Sequence, residues 1–260
     1  MKNKTRLFSV FTALLTVLLA VLHTLSLLTA YNTEVGYLDS TPLVITMRVL
    51  YVLGAIWCLA LPFLLPKEAS FAKEHTVPHI AFGYLAAILL ALSGISLLLN
   101  PPVATGIAAK ILPVLAVLTL LASAFFFANA ASPKKLGTMR AIFGFLVLAF
   151  LLCFLFYIYF NMYVTINSPL KNALQLSILC ALLFTLCQIR LSIGKTVPRI
   201  AMTSRPLCVL FCLPTAVSHL VFGTSELCGA LERTITSPFL SLPLLAIGIF
   251  ALAEMIFYKD

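Results

Sequence analysis

Hydrophobic positions run through this chain in eight long blocks, and short polar breaks separate one block from the next. Each block is about 20 residues or longer, which is the length that an α-helix needs to cross ~30 Å of hydrocarbon. The predicted spanning helices cover residues 7–30, 42–65, 79–99, 109–131, 141–165, 169–193, 200–223 and 237–258. The pattern therefore predicts an all-α integral membrane protein with eight transmembrane helices.

The first block follows a basic start, so a secretory signal must be weighed against a retained helix. At 24 residues, 7–30 is longer than the apolar region of about 7–15 residues in a signal peptide. Leu28, before Thr29 and Ala30, also breaks the small-x-small pattern of a cleavage site. We interpret the block as the first spanning helix.

Composition supports a membrane protein and argues against a soluble one. Hydrophobic residues make up 62% of the chain and charged residues 10%, against about 45–50% and about 25% in ordinary soluble domains. The net charge is +9, but no basic cluster interleaved with exposed aromatic residues is present to bind nucleic acid. We therefore expect the chain to lie in a lipid bilayer and to bind no nucleic acid.

The distribution of Lys and Arg predicts the orientation. With a cytoplasmic N-terminus, thirteen of the 17 Lys and Arg residues fall on the cytoplasmic side and four on the other side, as the positive-inside rule requires. Both termini are then cytoplasmic, and the plasma membrane is the expected location. The basic segments 134–140 and 190–205 are expected to contact anionic lipids of the inner leaflet.

Three landmarks recur along the chain in one order. Residues 76–81 read TVPHIA and residues 196–201 read TVPRIA, segment 40–43 resembles 167–170, and segment 112–116 resembles 242–246. The offsets of 120, 127 and 130 residues indicate a diverged duplication. We predict two four-helix repeats, 1–131 and 132–260, in parallel orientation because four helices return the chain to its starting side.

Motifs for catalysis or for metal binding are missing from the sequence. It has no Gly-rich phosphate loop, no His-Glu-x-x-His and no Gly-x-Ser-x-Gly. Six of its seven cysteines lie in apolar blocks, where thiols behave as small hydrophobes, and the pair Cys208 and Cys212 lacks nearby histidines. We expect no enzyme activity, no cofactor and no metal.

A layer of polar side chains is the main candidate for a binding site. Counted at 1.5 Å per residue from the outer helix ends, its members lie roughly 6–11 Å deep, and polar groups at such depth are costly unless they face the bundle interior, a wet cavity or the interface. A guanidinium beside imidazoles and an amide suits a carboxylate or phosphate. The alternative is structural, since an arginine can reach the headgroups and the other groups can bond neighbouring helices. The four residues are His23, Arg48, Gln175 and His219.

Glu254 is the one acidic residue within a predicted span near the inner face. It is a candidate coupling carboxylate for transport. A simple interfacial ion pair, with Lys259 or with cations near Arg190, is the competing interpretation.

The loop after the first helix carries a short motif. It reads Tyr31, Asn32, Thr33, Glu34, Val35, Gly36, with an aromatic residue next, and its glycine permits a turn at positive φ. Here the sequence resembles a group of uncharacterised bacterial multi-pass membrane proteins with a Tyr-[Asn/Asp]-x-Glu-x-Gly loop. The resemblance covers one helix and one loop, and it implies no activity.

Two classes of function fit these observations. One is a small permease-like protein with an outward-facing site for a small anionic solute between the two repeats. The other is a non-transporting subunit, scaffold or sensor that packs against a partner membrane protein. Transporters carry broken helices near the midplane, and here Pro214 is the proline farthest from a helix end, which weakens the first reading.

Overall fold

The residues that the structure describes contain eight helices of membrane-spanning length, as the hydrophobic blocks predict. The computed structural model describes residues 2–64, 77–131, 137–195 and 198–256. The chain is therefore an all-α multi-pass membrane protein in those ranges. The long helices are α1 (Lys2–Ala30), α2 (Pro42–Leu64), α3 (Val77–Leu99), α4 (Gly106–Ala131), α5 (Gly137–Phe160), α6 (Pro169–Ser192), α7 (Pro198–Thr224) and α9 (Pro238–Ile256), and the single turn α8 (Arg233–Thr236) precedes the last one.

Serine or threonine followed by proline begins three of the long helices. Pro42, Pro169 and Pro238 each take the first helical position, where the missing N–H costs nothing and the fixed φ suits the helix. Ser168 caps α6 by accepting a hydrogen bond from the Leu170 N–H. The sequence therefore predicts these helix starts to within one residue.

The fifth helix ends earlier than its hydrophobic block. The block runs to residue 165, but α5 stops at Phe160. The side chain of Asn161 accepts from the Tyr163 N–H at 3.0 Å and donates to Oγ1 of Thr234 at 3.1 Å. An asparagine that bonds the backbone locally in this way competes with helix formation. The predicted last residues of the eighth span, 257–258, lie outside the described residues.

A small hairpin follows α1. Strand β1 (Tyr31–Asn32) pairs antiparallel with β2 (Tyr37–Leu38). The side-chain oxygen of Asn32 accepts from the N–H groups of Glu34 and Val35. Gly36 closes the turn at φ 75°, which confirms the expected positive φ. We call the end of the bundle that carries this structure the hairpin end.

Tyr31 fastens the hairpin to the bundle. Its ring packs edge-on against Phe222 at 5.2 Å between centroids, and its hydroxyl donates to Oε1 of Glu232 at 3.5 Å. Burial, followed by the nearby carboxylate, raises the pKa of the Tyr31 hydroxyl. The hydroxyl therefore remains a neutral donor at physiological pH.

The helices are arranged around α7 and α9, which have the most buried spans. Helices α3, α4, α5 and α6 pack in chain order, α3 and α6 also contact α9, and α1 and α2 pack against α7. Phe250 of α9 lies in the core, with ring centroids 5.1 Å from Phe126 and 6.2 Å from Phe184. Ser9 donates to the Met255 carbonyl oxygen at 3.1 Å, so the start of α1 and the end of α9 lie together at the end opposite the hairpin.

Close packing of α3 on α4 depends on a glycine. A Cβ on Gly94 would lie 2.9 Å from the Leu120 nitrogen and 3.0 Å from the Ala116 oxygen, both backbone atoms. Small residues of this kind let membrane helices approach closely. Close packing at Gly94 therefore stabilises the pair of α3 and α4.

The two predicted repeats differ in their surroundings. Helix α7 packs against α1, α2, α6 and α9, whereas its predicted counterpart α3 packs mainly against α4 and α9. Part of the TVPHIA and TVPRIA landmarks, residues 76, 196 and 197, lies outside the described residues. The duplication, its boundaries 1–131 and 132–260, and the cytoplasmic placement of the termini stay predictions.

Candidate functional site

A cavity of about 410 Å³ lies beneath the hairpin, between α1, α2, α6 and α7. We call it the hairpin cavity. Its volume falls within the roughly 300–1,000 Å³ of ordinary ligand pockets. The polar side chains that line it are His23, Tyr37, Arg48, Tyr51, Asn167, Asn172 and Thr215.

Arg48 carries the permanent positive charge of this cavity. Its side chain is exposed, and it has no hydrogen bond or ion pair with another residue in the described ranges. None of the lining residues is an aspartate or a glutamate. The cavity therefore presents a free guanidinium, with its fork of donors, and no carboxylate to compete for it.

One histidine, His23, lines the cavity, and a second one, His219, lies behind it. Nδ1 of His23 and the Tyr51 hydroxyl form a hydrogen bond of 3.0 Å, and the Tyr51 ring stacks on Phe211 at 5.4 Å. His219 lies behind His23, with 6.2 Å between ring centroids. It is fully buried, and neither of its nitrogens has a hydrogen-bond partner among the described residues. Buried polar groups are nearly always paired, so the imidazole of His219 behind His23, unbonded within the described ranges, is unusual.

Helix starts add to the positive character of the site. Pro169, Asn172 and Ala173, all in the first two turns of α6, line the cavity. Helix α2 also begins at this end and contributes Arg48 to the lining from its second turn. The N-terminus of an α-helix carries a partial positive charge and favours anions.

Three of the four residues of the predicted polar layer meet at this site. His23 and Arg48 line the cavity and His219 contacts His23, as described above. Gln175 is half-buried on a different face of α6 and does not line the cavity. Sequence reasoning missed Tyr51, Asn172 and Thr215, because their cavity-facing orientation depends on how each helix is rotated about its axis.

A second polar site surrounds Glu254 at the opposite end. Its Oε1 lies 3.2 Å from Nε2 of His79, and its Oε2 accepts from Nε2 of Gln188 at 2.8 Å and from Nε of Arg205 at 3.1 Å. These four residues, from α9, α3, α6 and α7, form what we call the Glu254 cluster. Both ion-pair partners are nearly buried, with side chains 10% and 12% exposed.

More positive charge lies close to this cluster. Arg140 of α5 is 7% exposed and lies within electrostatic range of Glu254. A smaller cavity of about 190 Å³ opens between α6 and α7 beside Gln188 and Arg205. Two cations of the basic segments expected to meet lipid headgroups, Arg140 and Arg205, are thus buried in the bundle.

The expected partners of Glu254 are observed in part, because Arg205 belongs to the basic segment 190–205. Arg190 is exposed, and Lys259 lies outside the described residues. The observed partners come from three other helices and include Gln188, a polar residue near the end of an apolar block. The position of Gln188 within that apolar block was the available signal, because polar groups in a spanning helix need partners.

The cysteines form no metal centre within the described ranges. No group of three or more His, Cys, Asp or Glu side chains in those ranges is placed to hold a metal ion. Cys208 and Cys212 lie 3.7 Å apart between sulfurs, and the Cys212 thiol donates to the Ser177 carbonyl oxygen. These thiols serve in packing between α6 and α7.

No protein-family model matches the chain, and neither the curated proteins nor the solved structures compared with it contain a match. Function must therefore be argued from the chemistry of the two sites.

Proposed function

We propose that the chain is a small permease-like membrane protein that binds a small anionic solute in the hairpin cavity. One observation carries the proposal. The same two helices, α6 and α7, wall the cavity at the hairpin end and hold Glu254 at the opposite end. A site open at one end and tied shut at the other is what one state of an alternating-access carrier requires.

The charge of the cavity selects an anion. Arg48 offers a bidentate fork, the starts of α2 and α6 add partial positive charge, and the lining holds no carboxylate. Asn172 and Thr215 supply further polar contacts. A cation would meet no negative charge in this lining.

Helix α7 links the two sites. Phe211 and Thr215 line the cavity, and Arg205 binds Glu254. Thr215 lies ten residues after Arg205 in the helix, a rise of about 15 Å. Pro206 and Pro214 lie between these two residues. Each proline removes one backbone hydrogen bond, which lets a helix bend. In this proposal Glu254 is the coupling carboxylate, because it must release Arg205 and Gln188 before the closed end can open.

The charge distribution orients the carrier. In this proposal the hairpin end is outside and the Glu254 cluster is at the cytoplasmic face of the plasma membrane, and the positive-inside rule supports this orientation. The cavity is then the outward-facing site.

Hexanesulfonate is a suitable probe because it stays anionic at every working pH. Wild-type protein in nanodiscs should bind it saturably, and proteoliposomes should take it up. Arg48→Ala should weaken binding at least about tenfold, and Arg48→Lys should restore little, since an ammonium cannot form the bidentate contact. Arg233→Ala is the matched control, because Arg233 is exposed at the same end and does not line the cavity.

Two results would change this account. Binding that is equal in wild type and Arg48→Ala would remove the anion site. Binding that depends on Arg48 without any uptake would favour the second class, a binding subunit or sensor.

A further inference from the structure

The hairpin cavity opens sideways. The two helices that flank the cavity, α2 and α6, both pack on α7 but make no extensive contact with each other. Val52 of α2 and Leu176 of α6 line the cavity and are 59% and 44% exposed. In a spanning helix, exposed apolar side chains at this depth face lipid. The mouth between α2 and α6 therefore faces the hydrocarbon of the bilayer as well as the hairpin end.

Polarity changes with depth inside the cavity. Counted at 1.5 Å per residue from the helix ends, Asn172 lies roughly 5 Å and Arg48 roughly 9 Å from the hairpin end, whereas Val52 lies roughly 15 Å and Phe211 roughly 20 Å deep. The Arg48 guanidinium is thus near the level of the headgroups, and the apolar wall formed by Val52 and Phe211 extends toward the midplane of the bilayer. An amphipathic molecule in a bilayer has the same order of groups.

We infer that the solute of the hairpin cavity is a single-chain amphipathic anion that enters sideways from the lipid between α2 and α6. This inference rests on the anion site proposed above and names its substrate class. The anionic head lies against Arg48 and the start of α6, and the alkyl chain lies along Val52, Leu176 and Phe211. The volume of about 410 Å³ is near the lower end of the range for ligand pockets, which suits one chain.

A series of alkanesulfonates tests the inference. Binding of methane-, butane-, hexane- and octanesulfonate to the full-length protein in nanodiscs should be measured, with the Arg48→Ala protein as the blank that accounts for partition into lipid. Burial of the chain predicts that the Arg48-dependent affinity rises with each methylene, by up to about fourfold. Octanesulfonate should then bind at least about a hundredfold tighter than methanesulfonate.

A matched pair of variants tests the sideways opening. Val52→Trp places a large ring at the mouth and should slow the association of octanesulfonate at least about tenfold, while the association rate of methanesulfonate is affected much less. Val49→Trp is the control, because Val49 is 51% exposed on the same helix and does not line the cavity. It should leave both association rates unchanged.

The outcomes separate the two proposals. If all four sulfonates bind with one Kd and all depend on Arg48, the amphipathic substrate is ruled out and the anion site stands. If no member of the series depends on Arg48, the anion site fails as well. Equal effects of Val49→Trp and Val52→Trp would overturn the sideways path.

Discussion

The hairpin cavity and the Glu254 cluster lie at opposite ends of the same helices and treat their polar groups in opposite ways. At the cluster, one carboxylate has a partner on each of three other helices. At the cavity, Arg48 is exposed and His219 is buried without a partner in the described ranges. A satisfied network rigidifies the elements that share it, whereas unmatched donors leave hydrogen-bonding capacity for a ligand.

Buried charge alone therefore does not mark a binding site in this bundle. The Glu254 cluster is charged, but both oxygens of its carboxylate bond to side chains of the bundle. The hairpin cavity is less charged, and its exposed Arg48 keeps hydrogen-bond donors free for a ligand. Changes at the cluster should therefore act mainly on stability, and changes at the cavity mainly on binding.

The largest effect is expected for Glu254→Ala. It leaves Arg205 buried without its carboxylate, and breaking a buried ion pair in this way costs about 3–5 kcal/mol. Reversible unfolding in detergent micelles measures the loss. Glu226→Ala, at an exposed glutamate, should stay within about 0.5 kcal/mol of wild type. Equal stability of the two variants would show that the cluster does not hold the bundle together.

A second contrast compares two buried histidines. His79→Leu removes a hydrogen bond to a charged group and should cost about 1.5–3 kcal/mol. His219→Leu removes an imidazole that has no partner in the described ranges, so it should be neutral or stabilising by about 1 kcal/mol. Unfolding under the same conditions compares them, and the opposite order would reverse our assignment of satisfied and unsatisfied ends.

A smaller effect is expected for Tyr51→Phe. The ring still stacks on Phe211, but the hydrogen bond to His23 is lost. The stability cost should be about 0.5–1.5 kcal/mol. Hexanesulfonate binding should also weaken, since His23 loses the contact that orients its ring. A loss of stability with unchanged affinity would place the Tyr51–His23 pair outside the binding site.

The smallest stability effect is expected for Arg48→Ala. An exposed arginine without a partner in the described ranges contributes within about 0.5 kcal/mol. The same variant should lose binding, so stability and affinity separate at this residue. A destabilisation as large as that of Glu254→Ala would mean that Arg48 is structural.

The sequence predicts the helices of this fold because length and hydrophobicity alone decide what can span a bilayer. Serine or threonine before proline also predicts where α2, α6 and α9 begin. The end of α5 could not be predicted in the same way. Asn161 accepts from the Tyr163 N–H at that point and also donates to Thr234, which is 73 residues away in the chain.

For the candidate site, the sequence predicts how deep each residue lies along its helix but not the direction in which its side chain points. Depth along a helix follows from residue number, which is why the sequence predicts one level for His23, Arg48 and His219. Rotation of a helix about its axis does not follow from residue number, so Gln175 was expected beside them although it occupies a different face of α6. The partners of Glu254 lie 49, 66 and 175 residues away, and no local pattern links them.

The central claim is that the hairpin end is open to a small anion and the opposite end is closed. Modification of single cysteines by 2-sulfonatoethyl methanethiosulfonate, a small anionic thiol reagent, tests it most directly in a protein whose native cysteines are replaced by alanine. Asn172→Cys lies in the cavity wall at an exposed position, Ser177→Cys is buried on the same helix away from the cavity, and Ala253→Cys is buried at the cluster end. We predict fast modification at position 172, at least about tenfold slower in the presence of hexanesulfonate, and none at 177 or 253. Modification at 253 as fast as at 172, or no protection at 172, would contradict the account.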